Sequence, residues 1–247
     1  MNIAENLKRI VQAKSDIKTA IENKGVFVGD VTIDHYADKI DMISGAAGDE
    51  KIKLSDGICL SGSTWSTFDM GRYNWSNVHD WGSMFEGCNN LETLENMPKN
   101  IMVGNMRNMF YNCSNLSSLD LSSWDTSNVT DMNNLFGFCD KLTTVGDISN
   151  WNTSKVTDMT ALFMSNKMTS LDLSKWDTSN VTTMQNMFAL CGNLREVRMG
   201  GDVSKVTNVV NMFNVIYTEG TFYYNPQYDY STIIAVLPGS WTAVPME

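Results

Sequence analysis

The chain has 247 residues, of which 43% are apolar and 19% charged, with a formal net charge of -10 at pH 7. That balance belongs to a folded protein and not to a disordered one. It leaves no basic stripe for nucleic-acid phosphates or for docking on an anionic membrane surface, and no stretch reaches the roughly 18 consecutive apolar residues of a membrane-spanning helix.

Residues 3–23 read as a helix. Ile3, Leu7, Ile10, Ile17 and Ile21 follow a four-three spacing with Lys14 in the one polar seam position, the stripe of a packed or coiled helix. Lys14 permits a dimer or trimer without requiring one. Asn23-Lys24-Gly25 supplies a cationic last turn and a glycine C-cap. Val26–Ile33 reads as extended and Asp34–Ile43 as a second short helix, with Tyr36, Ile40 and Ile43 on one face. The small residues of 44–50 make a linker. Residues 1–43 thus form a small helical module too short to bury much core alone, which implies docking onto a partner. Its interleaved charges lack the apolar core of a signal peptide, so the expected route is synthesis in the cytoplasm without secretory export.

From residue 51 a repeat governs the chain. Phe85, Phe110, Phe136, Phe163, Phe188 and Phe213 recur at spacings of 25, 26, 27, 25 and 25 residues. A period of that size predicts a solenoid of stacked coils, none of which could bury its apolar face unaided. Residues 51–75, with Trp65, Phe68, Tyr73 and Trp75, form its N-terminal cap. Within a coil, Val129, Met132, Leu135 and Phe136 stand at helical spacing behind a Ser127 or Asn128 N-cap. Leu116, Leu119 and Leu121 then alternate as a short strand. The expected architecture is α/β: about six coils, each a short helix plus a short parallel strand, joined by a turn at Trp-Asp-Thr-Ser. The solenoid and its first cap occupy residues 51–219; an aromatic strand and one short helix in residues 220–247 close the far end.

Cys88, Cys113, Cys139 and Cys191 each lie three residues after a repeat phenylalanine, where other copies carry Asn166 or Ile216. A position open to Cys, Asn and Ile is a small buried slot for a compact hydrophobe, and no Cys or His spacing suits zinc.

The pattern Phe-x-x-Cys-x-x-Leu-x-x-Leu-x-Leu, joined through Trp-Asp-Thr-Ser-Asn-Val-Thr-x-Met, resembles the BspA-type leucine-rich repeat of bacterial surface proteins and mycoplasma lipoproteins, over about residues 75–215. The resemblance implies a right-handed leucine-rich-repeat solenoid and a role in adhesion or binding. Asp16–Val26 with Tyr36–Ile40 is similar to a short leader that precedes fibre or decoration domains of bacteriophage virion proteins. That likeness implies a non-enzymatic virion protein made in the host cytoplasm. Its residues 1–43 would attach to other virion proteins through Ile3, Leu7, Ile10, Ile17 and Ile21, and its solenoid would bind a host-surface protein or glycan. A bacterial surface adhesin is the alternative.

Chemistry has little to work with. His35 and His79 lie in different modules, and no phosphate loop, nucleophile elbow or Asp/His dyad occurs, so no catalytic residue, cofactor or resident metal is expected. The ligand face is expected on the strands. Asp120, Asp147 and Asp172 would stack in a column flanked by Ser122, Ser149 and Ser174 and continued by Glu196 and Arg198. Carboxylates at strand spacing repel, so such a column is hydrated, hydrogen-bonded to its serines, or holds a cation such as Ca²⁺.

Overall fold

In the computed structural model the described residues are 52–53, 60–63 and 65–247. The expected module 1–43, its attachment residues Ile3, Leu7, Ile10, Ile17 and Ile21, the linker 44–50 and Cys59 lie outside them. The rest is a parallel β-solenoid of seven coils, one more than the phenylalanines count, because Leu60 stands in the phenylalanine slot of the first coil: its amide donates to Met84 O (2.8 Å) as Phe85 N does to Met109 O (3.0 Å).

The expected helix in each coil is not there. Val129, Met132, Leu135 and Phe136 are all buried, but their segment is a run of tight turns whose amides alternate between two partners. Leu135 N, Gly137 N and Cys139 N close turns onto Met132 O, Asn134 O and Phe136 O, whereas Asn134 N, Phe136 N and Phe138 N reach Thr160 O, Leu162 O and Met164 O of the next coil. A helix would satisfy these amides within the segment; here every second one is spent on stacking. The geometry needs left-handed residues at two places per coil. The first is occupied by Ser83, Asn108, Asn134, Ala161, Asn186 and Asn211 and the second by Gly87, Asn112, Phe138, Ser165, Leu190 and Val215; asparagine and glycine are the types for which that region is cheap.

Stacking brings the repeat phenylalanines face to face. Successive rings of Phe85, Phe110, Phe136, Phe163, Phe188 and Phe213 lie 5.5, 6.0, 5.7, 6.0 and 5.3 Å apart. Each is fully or almost fully buried, so this column carries a few kcal/mol of apolar burial per coil. The cysteine slot is polar as well as small: Cys113 Sγ donates to Phe85 O (3.0 Å), Cys139 to Phe110 O (3.1 Å) and Cys191 to Phe163 O (2.9 Å). Burial pushes the thiols of Cys139 and Cys191 up to about 12 and about 11, and Cys113 upward too.

The Trp-Asp-Thr-Ser turn is a second set of ties. Trp124, Trp151 and Trp176 donate Nε1 to Pro98 O, Leu121 O and Ile148 O of the coil before. Buried Thr126, Thr153 and Thr178 donate Oγ1 to Asn152 O, Asp177 O and Asp202 O of the coil after. Asp125 and Asp177 accept the amides of Ser127 and Ser179 at 2.9 and 3.0 Å and so hold the turn itself.

The strands are shorter and fewer than expected. β1 (Ile52–Lys53) pairs with β3 (Tyr73–Asn74), and β2 (Thr67–Asp69) pairs with β4 (Thr93–Glu95). β5 (Ser170–Leu173), β6 (Glu196–Met199), β7 (Gly220–Tyr224) and β8 (Trp241–Pro245) make one parallel sheet in that order. Between these groups residues 117–121 form no regular strand and meet the next coil at the bridge Ser118–Thr144, through Leu119 N to Thr144 O, Leu121 N to Val145 O and Thr143 N to Ser117 O. At the N-terminal end Trp65, Phe68 and Tyr73 stack at 4.6 and 5.4 Å, and Phe68 meets the edge of Phe85. At the far end Ser231–Ile234 is one helical turn, as expected of the cap. Gly201 falls where the repeat tryptophan is missing, and buried Tyr230 donates to its carbonyl (2.6 Å).

Candidate functional site

The strand face is the surface on which the expected ligand residues stand, and alternation puts their side chains outward: Leu119, Leu121, Leu171 and Leu173 are buried while Asp120 and Asp172 are exposed. The carboxylates do not form one column. Gly146, at φ 79°, is the extra residue of the 27-residue coil, and Asp120 lies over it rather than over Asp147. A side chain at 146 would collide with Asp120, so the insertion works only as glycine.

Each aspartate is occupied within its own turn. Asp147 Oδ1 accepts Ser149 N and Asp172 Oδ1 accepts Ser174 N, both at 3.0 Å. Asp120 Oδ1 accepts both the amide and the hydroxyl of Ser122. These bonds from serine hold Asp120 and Asp147 below the ordinary carboxylate range. Hydrogen bonding to serine, one of the arrangements left open for the aspartates, is present at all three. Among the described residues no three acidic, histidine or cysteine side chains converge as a metal set.

Further along, the register places Asp172 opposite Arg198, and Arg198 opposite Tyr223. Arg198 Nε donates to Glu196 Oε1 (2.7 Å), and its guanidinium lies 4.1 Å from the centre of the Tyr223 ring. Glu196 thus pairs with Arg198 and not with the aspartates. Tyr223, which sequence analysis placed only within the aromatic closing strand of residues 220–247, belongs to this cluster. Its signal was the register itself, one coil beyond Arg198. Tyr224 and Tyr228 pack half-buried against the core.

Two recesses open where the strand groups part. No backbone hydrogen bond joins β4 to residues 117–121, and a recess of about 570 Å³ there is lined by Leu94, Lys99, Asp120 and Ser122. Residues 143–148 and β5 likewise separate around a smaller space of about 220 Å³ lined by Thr144, Asp147, Ser170 and Asp172. Ser149 and Ser174 line neither and serve their turns. A third recess, about 560 Å³, was missed from sequence; Tyr73, Trp75, His79, Lys99 and Met102 line it. It follows from the irregular Asn96-Met-Pro-Lys-Asn100, where both asparagines take positive φ and the Trp-Asp-Thr-Ser turn is absent. Pro98 between two asparagines was the available signal.

The arrangement offers fixed acceptors, one arginine stacked on a tyrosine, and shallow polar recesses. It suits contact with a polar surface. A family model described as "Mycoplasma protein of unknown function, DUF285" matches residues 60–146 and 104–219. The chain belongs to that family. The match covers the solenoid in which the repeat resemblance was read. No curated protein and no solved structure matches.

Proposed function

We propose that this DUF285 protein is a non-enzymatic recognition module of a bacteriophage particle, a fibre or decoration type of virion protein. Residues 1–43 dock on other virion proteins through Ile3, Leu7, Ile10, Ile17 and Ile21, and the solenoid is displayed to bind a host-surface protein or glycan. The observation that carries the recognition part is the strand face: exposed Asp120, Asp147 and Asp172, with Arg198 on Tyr223, held on a backbone whose every coil is tied to the next. Binding there needs no bond chemistry, because preset acceptors and a stacked guanidinium lose little freedom on contact. The virion part is supported by the likeness of residues 16–40 to phage leaders.

A second reading is a bacterial surface adhesin, and the mycoplasma description of the family favours it. Copurification with intact phage particles separates the two, using the full chain and a chain that begins at Gly48. Incorporation of the full chain alone supports the virion reading and assigns attachment to residues 1–43. If neither associates with particles, that reading fails and the adhesin stands. For the strand face, Arg198→Ala should abolish retention on host cells; unchanged retention would move the contact elsewhere.

A further inference from the structure

The turn ladder ends with its donors unused. In the sixth coil Met184 N, Asn186 N, Phe188 N and Leu190 N donate to Asn208 O, Val210 O, Met212 O and Asn214 O of the seventh, at 2.8–3.0 Å. The matching amides of the seventh coil are those of Val209, Asn211, Phe213 and Val215, and among the described residues none has a partner. The C-terminal cap covers the neighbouring surface only. Trp241 lies 5.6 Å from Phe213 and closes the ring stack, and β8 closes the strand side. Beside three of the four amides, those of Asn211, Phe213 and Val215, lies an open concavity of about 600 Å³, also lined by Tyr217, Val236 and Pro238 and by no charged residue.

A second observation points the same way. Six large apolar side chains are exposed among the described residues, and Val210, Val215, Tyr217 and Val236 are four of them. A fifth, Leu190, is tied directly to this coil through Asn214 O. Val215 is also strained. It is β-branched at φ 61°, a backbone region that costs such a residue on the order of 1 kcal/mol or more, at a place where the other coils carry Gly87, Asn112, Phe138, Ser165 and Leu190, none of them β-branched. An aliphatic group is thus held outward beside unsatisfied donors.

We propose that this end of the solenoid is a docking site for a segment of a partner polypeptide, bound by backbone augmentation as an eighth coil. The interior interfaces define its chemistry. Parallel donors on alternate residues match carbonyls on alternate residues of a peptide, and do not converge on a point such as a phosphate or a metal-bound anion. The segment needs about seven residues, uncharged where it meets Val210, Val215, Tyr217 and Val236. A tail-to-tail pair of this chain is ruled out by the same row, since donors would face donors. The site is independent of what the strand face binds.

The probe is a synthetic peptide with the sequence of residues 156–168, a cysteine-free stretch whose Asp158, Thr160, Leu162 and Met164 carbonyls already accept the corresponding row inside the solenoid. It is titrated into the full chain labelled with ¹⁵N. The amide signals of Val209, Asn211, Phe213 and Val215 should move saturably and exchange more slowly with solvent, while those of Met159, Ala161, Phe163 and Ser165 stay fixed. Val210→Asp should weaken binding about tenfold, and Val215→Asn, which suits the left-handed backbone, should weaken it while leaving the fold intact. The proposal is overturned if these four amides do not respond at millimolar peptide, or if both variants bind as the parent does. It is also overturned if the chain alone polymerises with those amides protected, because the occupant is then a second copy stacked head to tail.

Discussion

The turn face and the strand face of this solenoid share the same coils but are built to different standards. On the turn face every interior coil is tied to the next through alternate amides, a buried ring and, in most coils, a thiol. On the strand face hydrogen bonding breaks twice, at β4 and again before β5, and outward side chains change from coil to coil. A surface that can lose its ladder without losing the fold is one whose side chains are free to serve contact. Stability and recognition are therefore divided between two faces, and substitutions can test the division.

The largest effect should come from the turn face. Phe136→Ala removes a ring stacked 6.0 and 5.7 Å from its neighbours in a site with no exposure. It should cost roughly 3–5 kcal/mol in urea unfolding. A loss below about 1 kcal/mol would mean that the phenylalanine column is not the spine.

Alkaline pH should act on the same face. An unfolded thiol ionises near 9, while burial holds Cys191 at about 11 and Cys139 at about 12. Raised folded values mean that the stability is fully present below pH 9 and is lost as pH rises through 11–12, because the unfolded chain gives up its protons first. Unfolding midpoints measured from pH 8 to 11 should fall accordingly. A Cys139→Ala, Cys191→Ala variant should show a flatter profile; an unchanged slope would assign the effect to other groups.

How much of this division was legible beforehand depends on the face. The phenylalanine spacing sufficed for a solenoid, since six copies of one large apolar side chain at 25–27 residues mark stacked coils. It did not suffice for the helix. Apolar residues at 129, 132, 135 and 136 fit a helical stripe and equally fit successive three-residue turns. The discriminating signal lay two residues before four of the six phenylalanines, where Asn108, Asn134, Asn186 and Asn211 recur. Asparagine tolerates a left-handed backbone and weakens helices. The aspartate column failed for a different reason. Coils of 25 and 27 residues do not stay in register, and only the structure shows that Gly146 absorbs the difference under Asp120. The open end of the ladder was not legible at all, because it depends on which groups the cap leaves uncovered.

Between the faces lies the Trp-Asp-Thr-Ser turn, and its substitutions should fall in the middle. Thr153 is 1% exposed and its hydroxyl donates to Asp177 O at 2.9 Å. Thr153→Val keeps the shape and leaves that carbonyl without its donor, at about 1–2 kcal/mol. Thr153→Ser, which retains the hydroxyl, should recover part of the loss. Equal losses for the two would place the cost in packing, and the turn would then belong to the core rather than to the ties between coils.

The smallest stability effect should belong to the strand face, and it sharpens the comparison most. Asp147 is exposed and is bonded to Ser149 within its own turn. It stands at the break before β5, where no backbone bond depends on it. Asp147→Ala should therefore change unfolding by no more than about 0.5 kcal/mol. The same substitution alters the rim of the recess shared with Asp172. Retention on host cells should fall although stability does not. A variant that lost stability without losing retention would reverse the assignment of the two faces, since Asp147 would then be a tie and the ligand would sit elsewhere.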